Sequence, residues 1–227
     1  MKSLKSYIQE KLIIKKNKSN SYKYFPETKK ELKDIILQRI EAEGNKVDLN
    51  DIDVSEITDM SELFKETNFN GDISKWDVSN VTDMSRMFWG CQEFNQNIST
   101  WDISNVTDMM RMFFWCEEFN QDISSWDVSR VKNMDSMFYR CEAFNQDISS
   151  WDVSNVANMS NMFSSCKSFN QDISSWNVSN VTNMNAMFAW CRNFNQDISS
   201  WDVSKVKYFI DIFYNCKIEE KHKPKFK

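Results

Sequence analysis

Three glycines, two prolines and one histidine are all that the 227-residue chain contains of those types. So little glycine argues against a glycine-rich calcium-binding β-roll, despite the many Asp and Asn residues, and leaves no glycine loop to cradle a nucleotide phosphate. The single histidine, His222, lies between Lys221 and Lys223 in a basic tail. No Cys-x-x-Cys pair accompanies it, so zinc-type ligand spacing is missing as well. Near the N-terminus no apolar run exceeds Leu12-Ile13-Ile14, which predicts neither a secretory leader nor a membrane span. The expected location is therefore the cytoplasm, where thiols stay reduced.

What the chain does have is a period. Trp76, Trp101, Trp126, Trp151, Trp176 and Trp201 recur every 25 residues, and so do Cys91, Cys116, Cys141, Cys166, Cys191 and Cys216, which are all the cysteines present. Six regular copies are implied, with a degenerate copy ahead of them in which Thr67 takes the cysteine slot. One cysteine per copy at one slot reads best as an inward thiol column; stacked disulfides and a metal site are the alternatives.

The expected organisation is a helical cap over residues 1–47, a solenoid over 48–216 and a basic tail over 217–227. Two amphipathic helices are predicted in the cap. One is carried by Leu4, Tyr7, Ile8, Leu12 and Ile13, the other by Leu32, Ile35, Ile36, Leu37 and Ile40. The second is punctuated by Pro26, a Thr28-x-x-Glu31 capping box and Gly44. Charge is distributed unevenly: residues 1–48 and 217–227 are basic, whereas the repeats carry a net charge of about −13. An acidic array does not suit a nucleic-acid backbone.

Within a unit, Trp101-Asp102-Ile103-Ser104 alternates apolar and polar, which predicts a short strand. Met109, Met112, Phe113 and Cys116 then fall at i, i+3, i+4 and i+7, one face of a short helix. Strand plus helix in 25 residues, with the frame Ile73-x-x-Trp76-x-Val78, predicts an α/β solenoid of leucine-rich-repeat type. Val81 departs from that frame's usual Asn or Cys and implies a different corner. The long unit from Phe144 to Cys166 resembles the repeats of BspA-family leucine-rich-repeat surface proteins of bacteria and mycoplasmas. That resemblance covers about residues 52–216 and implies cell-surface display and binding of host or partner proteins.

Slots that hardly change between copies (Ile, Trp, Val, Met, Phe, Cys) are expected to be core. On helical geometry the slot after the core Phe faces outward, and with the next slot it yields Trp89, Phe114, Trp115, Tyr139, Arg140, Trp190 and Tyr214 as candidate partner-binding residues. A second candidate face is the acidic column Asp77, Asp102, Asp127, Asp152 and Asp202. Every Ser or Asp that a catalytic site would use is duplicated along the array, so no enzyme and no cofactor are expected. The function read from the sequence is a protein-interaction module, monomeric or weakly self-associating, with a self-assembling structural array as the alternative.

Overall fold

The structure, a computed structural model, describes residues 22–226. The first expected helix, Leu4 to Ile13, lies outside them. The segment Lys29–Glu43 forms helix α1. Thr28 caps it by accepting the Glu31 amide at 3.2 Å, while the Glu31 carboxylate reaches back to the Glu27 amide at 2.8 Å. Gly44 ends it at φ 88°, donating its amide to the Ile40 carbonyl. Leu32, Ile35 and Ile36 are buried against the first coil of the repeat stack.

The repeats do not form an α/β solenoid. Among the described residues α1 is the only α-helix, a three-residue 3-10 turn at Glu220–His222 is the only other helical element, and no strand is present. Consecutive coils touch through one isolated parallel backbone bridge each, as at Asp83 with Asp108 and Asn158 with Asn183.

The expected helix fails because its amides bond to the next coil instead of to their own turn. Met84, Arg86, Phe88 and Gly90 donate to the carbonyls of Asp108, Met110, Met112 and Phe114 at 2.8–3.1 Å. The residues between them close tight turns inside the coil, Met87 to Met84, Trp89 to Arg86 and Cys91 to Phe88. The alternation requires left-handed backbone twice per coil, as at Arg111 (φ 58°) and Trp115 (φ 64°), which no α-helix admits. Inward Met, Phe and Cys at i, i+3, i+4 and i+7 fit this ribbon as well as they fit a helix.

The expected strand fails for a related reason. Asp102 accepts the Ser104 amide at 3.0 Å, and Val106 donates to Ile103 at 2.9 Å, so back-to-back turns replace extended backbone. This pairing, with its counterpart at Asp77, Ser79, Val78 and Val81, is the different corner that Val81 implied.

The four ladder bonds of the Met-to-Cys ribbon in each coil point the same way, carbonyls toward α1 and amides toward the C-terminal end, whereas amides outside the ribbon, as at Thr107 to Thr82 and Glu118 to Gln92, donate back to the preceding coil. Within that ribbon the aligned peptide dipoles put partial negative charge at the end facing α1. There α1 supplies Lys33, whose Nζ donates to the Glu62 carbonyl at 2.8 Å, and Lys29, which binds Asp59 at 3.1 Å and also Ser61. Side chains reinforce the stacking. Gln96 and the Asn95 amide both donate to Asn70 of the preceding coil, at 2.9 and 3.1 Å.

The core is a set of ring columns. Phe88, Phe113, Phe138 and Phe163 stack with centroids 5.6–5.7 Å apart, and each packs closely on a second column, as Phe113 does on Phe119 at 4.0 Å. Five cysteines are fully buried and Cys216 is half-buried; all six are free thiols.

Candidate functional site

The slot after the core Phe is not outward, because the helix that would turn it outward is absent. Its rings lie half-buried along the stack: Trp89 sits 5.2 Å from Phe114, and Phe114 lies parallel to Tyr139 at 4.6 Å. Cations close over the first of them, with Lys65 Nζ 4.7 Å and the Arg111 guanidinium 5.6 Å from the Trp89 ring. The column then loses its rings at Ser164 and Ala189, both buried, and resumes at Tyr214, which is 54% exposed.

The next slot is the left-handed one, and positive φ swings its side chains outward. Trp115 is 37% and Trp190 42% exposed, and Arg140 is exposed as well. Arg140 lies over the Trp115 ring at 5.5 Å. The Trp115 indole N–H donates to the Glu117 carboxylate at 2.7 Å, and Trp190 meets Tyr214 edge-on at 5.5 Å.

Where the ring column is interrupted, the surface sinks into a groove of about 600 Å³. Tyr139 and Arg140 stand on one side, Trp190 and Tyr214 on the other, with Ser164 and Ala189 in the floor. The structure thus brings four of the seven sequence-selected residues to one depression, while Trp89, Phe114 and Trp115 continue the same face toward the N-terminal coils. Sequence reasoning did not single out Lys167 and Arg192, which also line the groove. A signal was available: the slot after each cysteine runs Gln92, Glu117, Glu142, Lys167, Arg192, changing from acidic to basic along the stack. Lys167 pairs with Glu142 at 2.5 Å.

The acidic column lies on a separate part of the coil, exposed along its length. Its members cap turns: Asp77, Asp102, Asp127, Asp152 and Asp202 each accept the amide of the serine two residues on, at 3.0–3.1 Å. The Ser104 and Ser129 hydroxyls and amides hold the Asp102 and Asp127 carboxyls below their ordinary range. Among the described residues, no group of three or more His, Cys, Asp or Glu side chains is arranged to hold a metal ion. No helix of the described residues is long and apolar enough to cross a membrane.

No curated protein and no solved structure matches the chain. The model of a family described as "Mycoplasma protein of unknown function, DUF285" matches it twice, over residues 32–151 and 116–226. The two matches overlap and together run from α1 through every coil into the C-terminal tail, so this protein belongs to that Mycoplasma family of repeat-containing proteins.

Proposed function

We propose that the protein is a non-enzymatic binding module for another protein and engages it through the face that carries Trp115, Arg140 and Trp190. The observation behind this reading is a contrast. Core slots repeat almost unchanged from coil to coil, whereas this face varies and leaves two tryptophans more than a third exposed beside an arginine. Trp, Tyr and Arg are the side chains that dominate binding energy at protein interfaces. Rigid coils display them at low ordering cost. The resemblance of the repeat to BspA-family surface proteins supports the same class of role, with a host or partner protein as ligand. The Asp column is the weaker candidate, since turn amides and serine hydroxyls already occupy its carboxylates.

Photo-crosslinking tests the reading. A photoreactive residue at Trp115 is expected to capture a discrete protein from cell extracts, and one at Asp127 is not. Equal capture from both positions, or capture from Asp127 alone, would move the binding surface to the acidic column.

A second reading, end-to-end assembly, rests on the last coil. The amides of Phe209, Asp211, Phe213 and Asn215, which continue the ladder, donate to no group among the described residues. Beside them Tyr208 and Ile210 are 57% and 71% exposed. Sedimentation velocity over a concentration series separates the two readings. Self-association that Ile210→Lys abolishes favours assembly, and a monomer at all concentrations favours the binding module.

A further inference from the structure

The internal repetition shows what the groove is missing. In the neighbouring coils its ring slot holds Trp89, Phe114 and Tyr139, the first pair tilted at 5.2 Å and the second stacked at 4.6 Å, and in the next two it holds Ser164 and Ala189. Tyr139 and Tyr214 are three coils apart. At a coil spacing of roughly 5 Å the wall-to-wall gap is roughly 15 Å, with two successive positions where a ring would continue the column. Flat groups are therefore accommodated between aromatic walls with the parallel stacking that Phe114 and Tyr139 already use.

A second substitution in register concerns charge. Trp115 donates its indole N–H to Glu117, which lies two residues on. Trp190 occupies the same slot one groove-width away, where it meets Tyr214 edge-on, but the residue two positions on is Arg192, and the Trp190 indole makes no hydrogen bond among the described residues. The carboxylate that completes this arrangement at Trp115 is thus replaced at Trp190 by a cation that makes no ion pair among the described residues. Arg140 stands on the opposite lip, Lys167 and Glu142 neutralise each other, and Asp211 is the remaining carboxylate of the lining, so the groove keeps a small net positive charge.

Resting on the reading of this face as the partner surface, we infer that the groove seats an acidic segment of a partner protein. An aromatic side chain of that segment continues the interrupted ring column, and one of its carboxylates takes the place at Trp190 and Arg192 that Glu117 holds at Trp115. Charge and shape both contribute: the guanidinium groups favour the acid, and the ring gap selects the flat side chain.

The test is calorimetric titration of the full chain with blocked pentapeptides. Asp-Glu-Tyr-Glu-Asp is expected to bind, and the versions with Ala for Tyr or Lys for the acids to bind at least about tenfold more weakly. Ser164→Tyr fills the gap with an aromatic ring, as four other coils already carry at that slot, and it is expected to abolish binding. Arg192→Glu restores the Trp115 arrangement within the chain and is expected to do the same; being exposed, it carries the test if the first variant folds poorly. No binding of the acidic tyrosine peptide, undiminished binding by Arg192→Glu, or preference for an acidic oligosaccharide such as sialyllactose overturns the inference. Crosslinking at Trp115 that persists while the peptide fails to bind defeats this inference alone. Loss of that crosslinking defeats the partner-face reading itself.

Discussion

The thiol of Cys141 donates to the carbonyl of Phe113 in the preceding coil, at 3.0 Å, and the same carbonyl accepts the amide of Cys116 at 3.0 Å. One oxygen thus closes a turn inside its own coil and anchors the next coil through its second lone pair. The arrangement recurs from Cys91 to Cys191. Burial pushes the thiols up, Cys91 to about 11, and removes reactive thiolate. Native protein treated with a thiol-specific reagent at pH 8 is expected to be labelled first at Cys216, the one half-buried cysteine. The other five should react only after denaturation, and mass mapping of labelled peptides reads this directly.

The buried tryptophans use the same device. Trp126 Nε1 donates to the Ile98 carbonyl at 3.2 Å, and that carbonyl also accepts the Trp101 amide. Trp126→Phe keeps most of the apolar contact but removes the donor. A loss of about 1–3 kcal/mol in urea unfolding is expected, with the slope of the transition unchanged.

Non-glycine residues held in left-handed backbone carry a steric cost of about 1 kcal/mol each. Ser165 stands at φ 64° in the slot that Gly90 occupies at φ 78°, so glycine fits this register. Ser165→Gly is expected to raise stability by up to about 1 kcal/mol, and Ser165→Val to lower it by at least as much. Urea midpoints of the two variants against the parent check the sign.

Acid should weaken the stack through its turn-capping carboxylates. Asp102 and Asp127 have folded-state pKa values lowered by the Ser104 and Ser129 hydroxyls and amides. Their contribution is complete above the unfolded value near 4 and is lost as pH falls through the lower folded values. Asp108 acts in the opposite sense. Burial raises its carboxyl, and Asp83 beside it adds to the rise against the pull of the Met110 amide. The stability linked to Asp108 is complete below about pH 4 and is lost as pH rises through its folded value. Asp127→Asn, matching Asn177 in the same column, should flatten the acid limb of a melting-temperature profile. Asp108→Asn, matching Asn133, should raise the melting temperature at pH 7 but not at pH 3.

α1 closes the carbonyl end of the stack with Leu32, Ile35 and Ile36 on the first coil. Leu32→Ala is expected to cost about 2–5 kcal/mol and to unfold the first coil before the rest, since each coil leans chiefly on its neighbours. Hydrogen exchange at Met60, Glu62 and Phe64, whose amides bind the second coil, reports this local opening.

The 25-residue period, the inward Ile, Trp, Val, Met, Phe and Cys slots, and the Thr28 to Gly44 punctuation of α1 were all legible in the amino-acid sequence. Each is a local or strictly repeating property, because side-chain polarity reports which way a residue faces and a capping residue acts on amides two or three positions away. The backbone path was decided only in the tertiary structure. Met109, Met112, Phe113 and Cys116 face inward whether the Arg111 amide bonds four residues back or to Asp135 in the next coil, so periodicity does not distinguish a helix from the ribbon that forms. The same holds for the alternation at Trp101 to Ser104, which turns capped by Asp102 produce as readily as a strand does. The groove likewise exists only in three dimensions. Ser164 and Ala189 are small residues in the sequence, and they become its floor because stacking places them between the rings of Tyr139 and Tyr214.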